Sequence, residues 1–305
     1  MAGGVIGDAY VYRKNVSDIF ERKAYMQKAK EQGSSGLKYT KARELGEKVV
    51  ITKALQNEQQ VLDGFVAHNK TAVKNRLRAE ENVIINMQKI AEAVKETLVL
   101  FSDGTAKDSA SFLAGFKQHM EAIEREGNTK VGDSYIFGGT ITNSPPFDLS
   151  KVENGLDHAA GVTLDYYNGN SSKSLIAIDT HDNLECDLLG KHPAFEKLIR
   201  ALKIATDPSI VSGDARTKTA QKLTDEALNE LSSLISQVGS KDVGIDTLIE
   251  VQSDRILYLS DAYNTIVEAD EIEAATRFMK EQRILSTTYA MMARLNEMSL
   301  ADHLK

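Results

Sequence analysis

The chain has 305 residues, of which 42% are hydrophobic and 27% charged, and it carries a formal net charge of −7. An acidic balance excludes nucleic acid as the main partner, because a phosphate backbone calls for a basic face, and no apolar run is long enough to span a bilayer. Cys186 is the only cysteine, which excludes an internal disulfide and leaves a small packed residue as its plainest role.

In chain order, the first segment places Tyr12, Val16, Ile19, Phe20 and Met26 at helical spacing. It lacks a charged start, an apolar block and a small-residue cleavage site, so no Sec-type signal peptide is expected. From Glu47 to Phe101 the period is clearer. Val73, Leu77, Ile84, Met87, Ala91, Val94, Leu98 and Phe101 form an a/d stripe in which Glu80 is the one polar interruption. As a single helix this stretch spans roughly 80 Å at 1.5 Å per residue. The stretch Ser102–Asp108, with Gly104, reads as a turn. A second helix is predicted over Ser109–Arg125, with Phe112, Leu113, Phe116, Met120 and Ile123 inward. The sequence then changes at "GDSYIFGGTITNSPPF" (Gly132–Phe147), where paired glycines and paired prolines stop helical structure.

The centre reads differently from the flanks. It holds all four prolines, Pro145, Pro146, Pro193 and Pro208. "GVTLDYYN" and "SLIAID" are predicted strands of a hairpin joined by the turn-forming "GNSSK". "HPAFEKLIRALKIATDP" follows as one short helix with Phe195, Leu198, Ile199 and Leu202 inward. The second flank resumes the helical stripe with Ala220, Ala227, Leu231, Leu234, Val238, Ile245, Leu248, Ile256 and Leu259. Gly239 and Gly244 are expected to loosen it locally. The last helix repeats Phe278, Leu285, Met292 and Leu295 on one side.

The predicted fold class is therefore mainly α: a long antiparallel helical-bundle or coiled-coil rod built from both termini, with a small β-containing (α+β) insert. Charge supports pairing of the ends. Residues 1–60 hold eleven Lys or Arg against seven Asp or Glu, a net of +4, whereas residues 240–305 hold seven against twelve, a net of −5.

Catalytic and cofactor signatures are missing. Gly138 and Gly139 lack the surrounding pattern of a phosphate loop. "DTHDNLECD" gathers Asp179, His181, Asp182, Glu185, Cys186 and Asp187, yet matches neither a zinc spacing nor a calcium loop, and reads as a polar strand–loop–strand edge. His68, His119, His158, His192 and His303 are scattered, and G-x-S-x-G and H-E-x-x-H do not occur. No enzyme activity, cofactor or metal is expected.

"GSSGLKYTKA" (Gly33–Ala42) resembles a signature near the start of bacterial flagellins. "NTKVGDSYIFGGTITNSPPF" (Asn128–Phe147), "HPAFEKLIRALK" and "ILSTTYAMMARLNEMSLADHL" (Ile284–Leu304) are similar, in that order, to stretches of the flagellar hook-associated proteins, most of all those of the hook–filament junction. The pair Asp-Asp or Asp-Pro usual after the first signature is missing from "KYTKARELGEKVV". The resemblance implies a structural subunit exported through the flagellar type III channel with the help of an export chaperone. It would be secreted to the hook–filament junction, with the first hook-associated protein and flagellin as axial neighbours and a ring of like subunits. It implies three parts: residues 1–45 with 265–305 as a terminal helical axial core, 46–140 with 206–264 as a helical rod, and 141–205 as an outer insert. Val16, Ile19, Phe20, Phe278, Leu285, Met292 and Leu295 would form the assembly interface. Tyr135, Phe137, Gly138, Gly139, Pro145, Pro146 and Phe147 would form the junction between rod and insert. A short flagellin is the alternative within the family; a surface glycan-binding or hydrolytic protein using the insert is the alternative outside it.

Overall fold

Helix α1 (Ala2–Ser35) and helix α7 (Glu271–His303) begin and end the fold in a computed structural model of the chain, which describes residues 2–39, 42–103, 109–152, 162–186, 188–207, 209–211 and 215–303. Between them lie α2 (Lys48–His68), a π-helical turn (Asn69–Val73), α3 (Lys74–Ser102), α4 (Ser109–Gly127), strands β1 (Lys130–Val131) and β2 (Ser134–Tyr135), strands β3 (Ser174–Ala177) and β4 (Asn183–Cys186), α5 (Pro193–Ala205) and α6 (Ala215–Val267). The chain is mainly helical, with two small antiparallel two-stranded sheets among the described residues. It divides into two compact units, one of Met1–Val61 with Arg255–Lys305 and one of Leu62–Asp254.

In the first unit α1 and α7 lie antiparallel, as the Arg22–Glu281 ion pair at 3.2 Å and the Leu37–Glu268 bridge require. Gly36 ends α1 with φ of 69°, a left-handed backbone that suits glycine, and its N–H closes on the Gln32 carbonyl at 2.9 Å. The chain then ties itself to the α6–α7 link. Lys38 N–H donates to the Val267 carbonyl at 2.7 Å, and Ala269 N–H donates to the Gly36 carbonyl at 2.8 Å. Asp270 caps α7, accepting the Glu273 N–H on its side chain at 2.9 Å.

In the second unit the predicted α3 stripe is buried in full from Val73 to Phe101, including Glu80. It shares one core with Ala220, Ala227, Leu231, Leu234, Val238, Ile245 and Ile249 of α6, with Phe116 and Ile123 of α4, and with α5, whose Phe195, Leu198, Ile199 and Leu202 are fully enclosed. Helix α6 runs unbroken through Gly239 and Gly244, contrary to the loosening expected there. Both glycines have open space where a Cβ would stand, so an exposed face and a packed opposite face carry the helix past them. The buried register also passes from Ile245 to Ile249 and Gln252, leaving Leu248 half-buried.

Gln252 faces the π-turn. The extra residue of that turn brings Asn69 fully inside, where its Nδ2 donates to Gln252 Oε1 at 3.2 Å and to the Ile178 carbonyl at 2.9 Å. Gln252 Nε2 donates to the same carbonyl at 3.1 Å and to Asp179 Oδ2 at 3.1 Å. These bonds fix the tip of the β3–β4 hairpin, in register Ser174↔Cys186 through Ala177↔Asn183. The hairpin is thus one strand later than the sequence suggests. "SLIAID" pairs with "NLEC", and the described part of "GVTLDYYN", from Val162 onward, holds a turn and the isolated antiparallel bridge of Tyr167 with Phe147, which belongs to the junction described next.

Candidate assembly interface and chain junction

The junction is built around Phe147. Helix α4 ends at Gly127, and Asn128 then turns its side chain onto Phe147, donating to its carbonyl and accepting its N–H, each at 2.9 Å. The Phe147 ring is buried against Tyr166 and Phe195, with centroids 5.4 and 6.1 Å away. Two glycines let the ring lie there. A Cβ on Gly127 would stand 2.5 Å from it, and so would a Cβ on Gly190.

Gly132, with φ of 61°, turns β1 into β2. Phe137 lies beyond, fully buried against Phe195 at 5.8 Å, and its carbonyl accepts from Gly190 N–H at 2.9 Å and from the Tyr167 hydroxyl at 3.0 Å. Gly138 is confined by backbone, and Gly139 by the Asn170 side chain and the Ser172 carbonyl. A Cβ on Gly138 would meet the Ile141 carbonyl oxygen at 2.2 Å, and one on Gly139, where φ is 70°, would meet Asn170 Oδ1 at 2.3 Å. Asn170 Oδ1 accepts Thr140 N–H at 3.1 Å and Ser172 N–H at 3.2 Å. Glu80, the polar break in the α3 stripe, holds Arg76 Nε at 2.7 Å, and Arg76 Nη2 donates to the Ile136 carbonyl at 2.6 Å. The interruption therefore serves to anchor this loop on α3.

Of the seven residues expected at a junction, Phe137, Gly138, Gly139, Pro146 and Phe147 are buried together, Tyr135 is half-buried beneath Lys130 at 4.5 Å, and Pro145 is exposed. The sequence points to Tyr166 and Tyr167 as packing residues, but nothing in it marks Asn170 or Gly190, and little marks Asn128. Asn128 next to a helix-ending glycine was the one local signal. Burial pushes the Tyr167 hydroxyl up to about 12 and raises Tyr166 further, and burial also raises Glu196, whose Oε1 accepts Thr163 N–H at 3.1 Å. These groups serve as fixed hydrogen-bonding partners of the backbone. Among the described residues no group of three His, Cys, Asp or Glu is placed to hold a metal ion, and no helix is long and apolar enough to cross a membrane.

The expected interface residues fall on the other unit, along α1 and α7. Ile19 and Leu285 are buried, together with Ala29 and Ala274; Val16, Phe278 and Met292 are half-buried; Phe20 is 68% exposed. The side chain of Leu295 lies outside the described residues. The inward contacts are small, with Gly33 opposite the Ala274 methyl, so the two helices approach closely. Larger apolar groups face out, including Tyr10, Tyr12, Tyr25, Ile272, Met279 and Met291 beside Phe20. Of these outward residues Tyr12 and Phe20 belong to the stripe expected on the first helix, and Tyr10, Tyr25, Ile272, Met279 and Met291 lie off the expected stripes.

Comparison with known proteins matches both flanks. The bacterial flagellin N-terminal helical region matches residues 8–142, and the bacterial flagellin C-terminal helical region matches residues 221–304. Flagellar hook-associated protein 3 of Escherichia coli is 22% identical over 316 residues, covering 95% of this chain and 96% of that protein. A flagellin of Bacillus subtilis is 22% identical over 285 residues, covering 89% of each. Among solved structures, FlgL of Bacillus cereus is similar with a TM-score of 0.56 at 17% identity, over 70% of this chain and 98% of that one. The flagellar junction protein FlgL of Legionella pneumophila is similar with a TM-score of 0.52 at 12% identity, over 72% and 99%.

Proposed function

The chain belongs to the bacterial flagellin family, and from that premise we propose that it is a structural subunit of the bacterial flagellum at the hook–filament junction. The observation that carries this reading is coverage. A hook-associated protein aligns with it across 95% of its length, through both helical flanks and the centre between them. The family is one of structural flagellar proteins, and the chain works by assembly with other flagellar components.

In this reading residues 1–45 with 265–305 form the axial core, residues 46–140 with 206–264 the helical rod and residues 141–205 the outer insert. The neighbours are the first hook-associated protein on one side and flagellin on the other, and like subunits form a ring. Before assembly the chain leaves the cell by type III export, escorted by a chaperone. Supporting this, α1 and α7 pair through small residues and leave large aromatic and aliphatic side chains in water. Large apolar side chains exposed in such number on one helix pair suit a surface meant for another protein. The Phe147 junction supplies the opposite property, a rigid exit from helix into insert.

A flagellin is a second reading, favoured by the Bacillus subtilis flagellin at the same 22% identity. Electron microscopy separates the two. The purified chain is incubated alone and with isolated hooks carrying the first hook-associated protein, and flagellin is then added. Capping of hook ends that permits flagellin filaments to grow is the expected result. Long filaments of the chain alone would replace this reading with the flagellin one.

A further inference from the structure

Between α1 and α7, beside Gly36, the first unit holds an open cleft of about 700 Å³ whose wall carries five cations and three carboxylates. The carboxylates are all engaged. Glu281 holds Arg22 at 3.2 Å, Glu273 holds Arg277 at 2.5 Å, and Asp270 caps the first turn of α7. Lys28, Lys38 and Lys280 remain, and among the described residues none of the three ammonium groups has a carboxylate within ion-pair distance. Two of these lysines come from the α1 side and one from α7, so pairing of the helices is what gathers them. In a chain with a net charge of −7, five cations against three carboxylates, Asp270 keeping its charge beside the three unpaired lysines, leave a net of +2 around one concavity, a local reversal of charge. Concave low-dielectric walls strengthen such a field. We propose that this cleft is a binding site for a polyvalent oxyanion, in which several carboxylate or phosphate oxygens are held by Lys28, Lys38 and Lys280 together.

The same chemistry has two sources, a free polyvalent anion or a cluster of Asp and Glu side chains on a neighbouring subunit. The second rests on the assembly role proposed above. Lysines act as point charges with rotatable donors, so the site selects for charge number more than for shape. Binding should therefore strengthen from phosphate to citrate to tripolyphosphate and weaken steeply with salt.

The test is calorimetric titration of the full chain with tripolyphosphate and citrate at low ionic strength. Three proteins are compared: the unaltered chain, K28A/K38A/K280A, and K53A/K117A/K218A, which loses the same charge at exposed lysines that do not line the cleft. Circular dichroism melts confirm that each is folded. One-site saturable binding by the first and third proteins, with at least tenfold weaker binding by the second, is the expected result. Equal affinity across all three, equal weakening of both triples, or no saturable binding would overturn the site. A second arm adds each protein to hook ends with and without saturating citrate. Loss of capping with citrate and in the cleft triple identifies a neighbour's carboxylates as the occupant; unchanged capping identifies a free anion. Failure of the unaltered chain to cap at all would refute the assembly role and leave the calorimetric result standing.

Discussion

Asn128 grips Phe147 by the backbone on both sides, its Nδ2 donating to the carbonyl and its Oδ1 accepting the N–H, each at 2.9 Å. This is the hydrogen-bonding of a strand neighbour supplied by one side chain. Replacing it with alanine leaves a donor and an acceptor unpaired beside a closed aromatic cluster. The expected cost is about 2–3 kcal/mol, since each bond is worth about 1 kcal/mol net and an orphaned buried group costs more. N128D keeps the acceptor only and should fall between. Thermal melts of N128A, N128D and the unaltered chain check the order; an N128A melt equal to the unaltered one would show that the clasp contributes nothing.

Glycines in this chain should respond to alanine with opposite signs. At Gly127 and Gly190 a new Cβ would stand 2.5 Å from the Phe147 ring, and the ring is enclosed on its other sides. G127A and G190A should each destabilise by about 1–3 kcal/mol, the usual cost of overpacking. Gly239 lies in the interior of α6 with nothing within 4 Å of the Cβ position. G239A should stabilise by about 0.5–1 kcal/mol through helix propensity. Denaturant midpoints of the three variants give the comparison, and a stabilised G127A would contradict the packing described.

Much of the helical architecture was legible in the sequence because it depends on local period. The stripe from Val73 to Phe101 needed only spacing to be recognised, and proline placement marked where helix had to stop. What was not legible depends on partners distant in the chain. "GVTLDYYN" has β-favouring residues, yet the backbone pairing of its described part is confined to one isolated bridge, Tyr167 with Phe147, while the Tyr166 and Tyr167 hydroxyls donate to the carbonyls of Gly190 and Phe137. The buried register of α6 moved from Leu248 to Ile249 because Gln252 has to meet Asn69 at the π-turn, and no period announces a π-turn. On α1 and α7 the inward face mixes Ile19 and Leu285 with small residues such as Ala29 and Ala274. A search for large apolar side chains therefore picked out exposed Phe20 together with buried Ile19.

The α6 register gives its own test. Leu231 is fully buried in the common core, whereas Leu248 is half-buried. L231A should cost about 2–5 kcal/mol by loss of burial and opening of a cavity. L248A should cost less than half as much, because solvent already reaches that side chain. I249A should resemble L231A more than L248A. Equilibrium urea unfolding measures all three, and a larger loss at Leu248 than at Ile249 would mean that the buried face is the one expected from simple heptad spacing.

Alkaline pH should loosen the junction through Tyr167. Its hydroxyl donates to the carbonyls of Phe137 and Asn170, at 3.0 and 2.9 Å, which only the protonated form can do. Burial raises its pKa from 10.0 to about 12 in the folded chain. A group whose folded pKa is raised contributes stability that is complete below its unfolded pKa and is lost as pH rises through the folded one. The melting temperature should therefore decline between about pH 10 and pH 12, and Y167F should decline less steeply while starting lower at pH 8. Tyrosinate absorbance at 295 nm offers an independent reading. Tyr167 should ionise after most of the other tyrosines and together with unfolding, and early, reversible ionisation of all ten tyrosines would contradict the burial described.

The two faces of the terminal helices should separate stability from assembly. Leu285 is 5% exposed, and Phe20 and Met279 are 68% and 65% exposed. An unpaired carboxylate at Leu285 would be enclosed between helices and strongly unfavourable, so L285D should lower the melting of the terminal unit. At Phe20 and Met279 a carboxylate stays in water, and surface changes of this kind shift stability by no more than about 0.5 kcal/mol. F20D/M279D should thus melt like the unaltered chain. If that outward face meets neighbouring subunits, the same double variant should fail to cap hook ends and fail to restore swimming to a strain lacking its own junction protein. F20Y/M279L, which keeps the face apolar, should restore both. Normal swimming by F20D/M279D would remove the outward face from the assembly interface. A collapse of its melt would place the two residues in the packing of the unit, against their exposure. L285D cannot distinguish these cases, because it weakens the pair that presents the face, and for that reason the exposed residues carry the test.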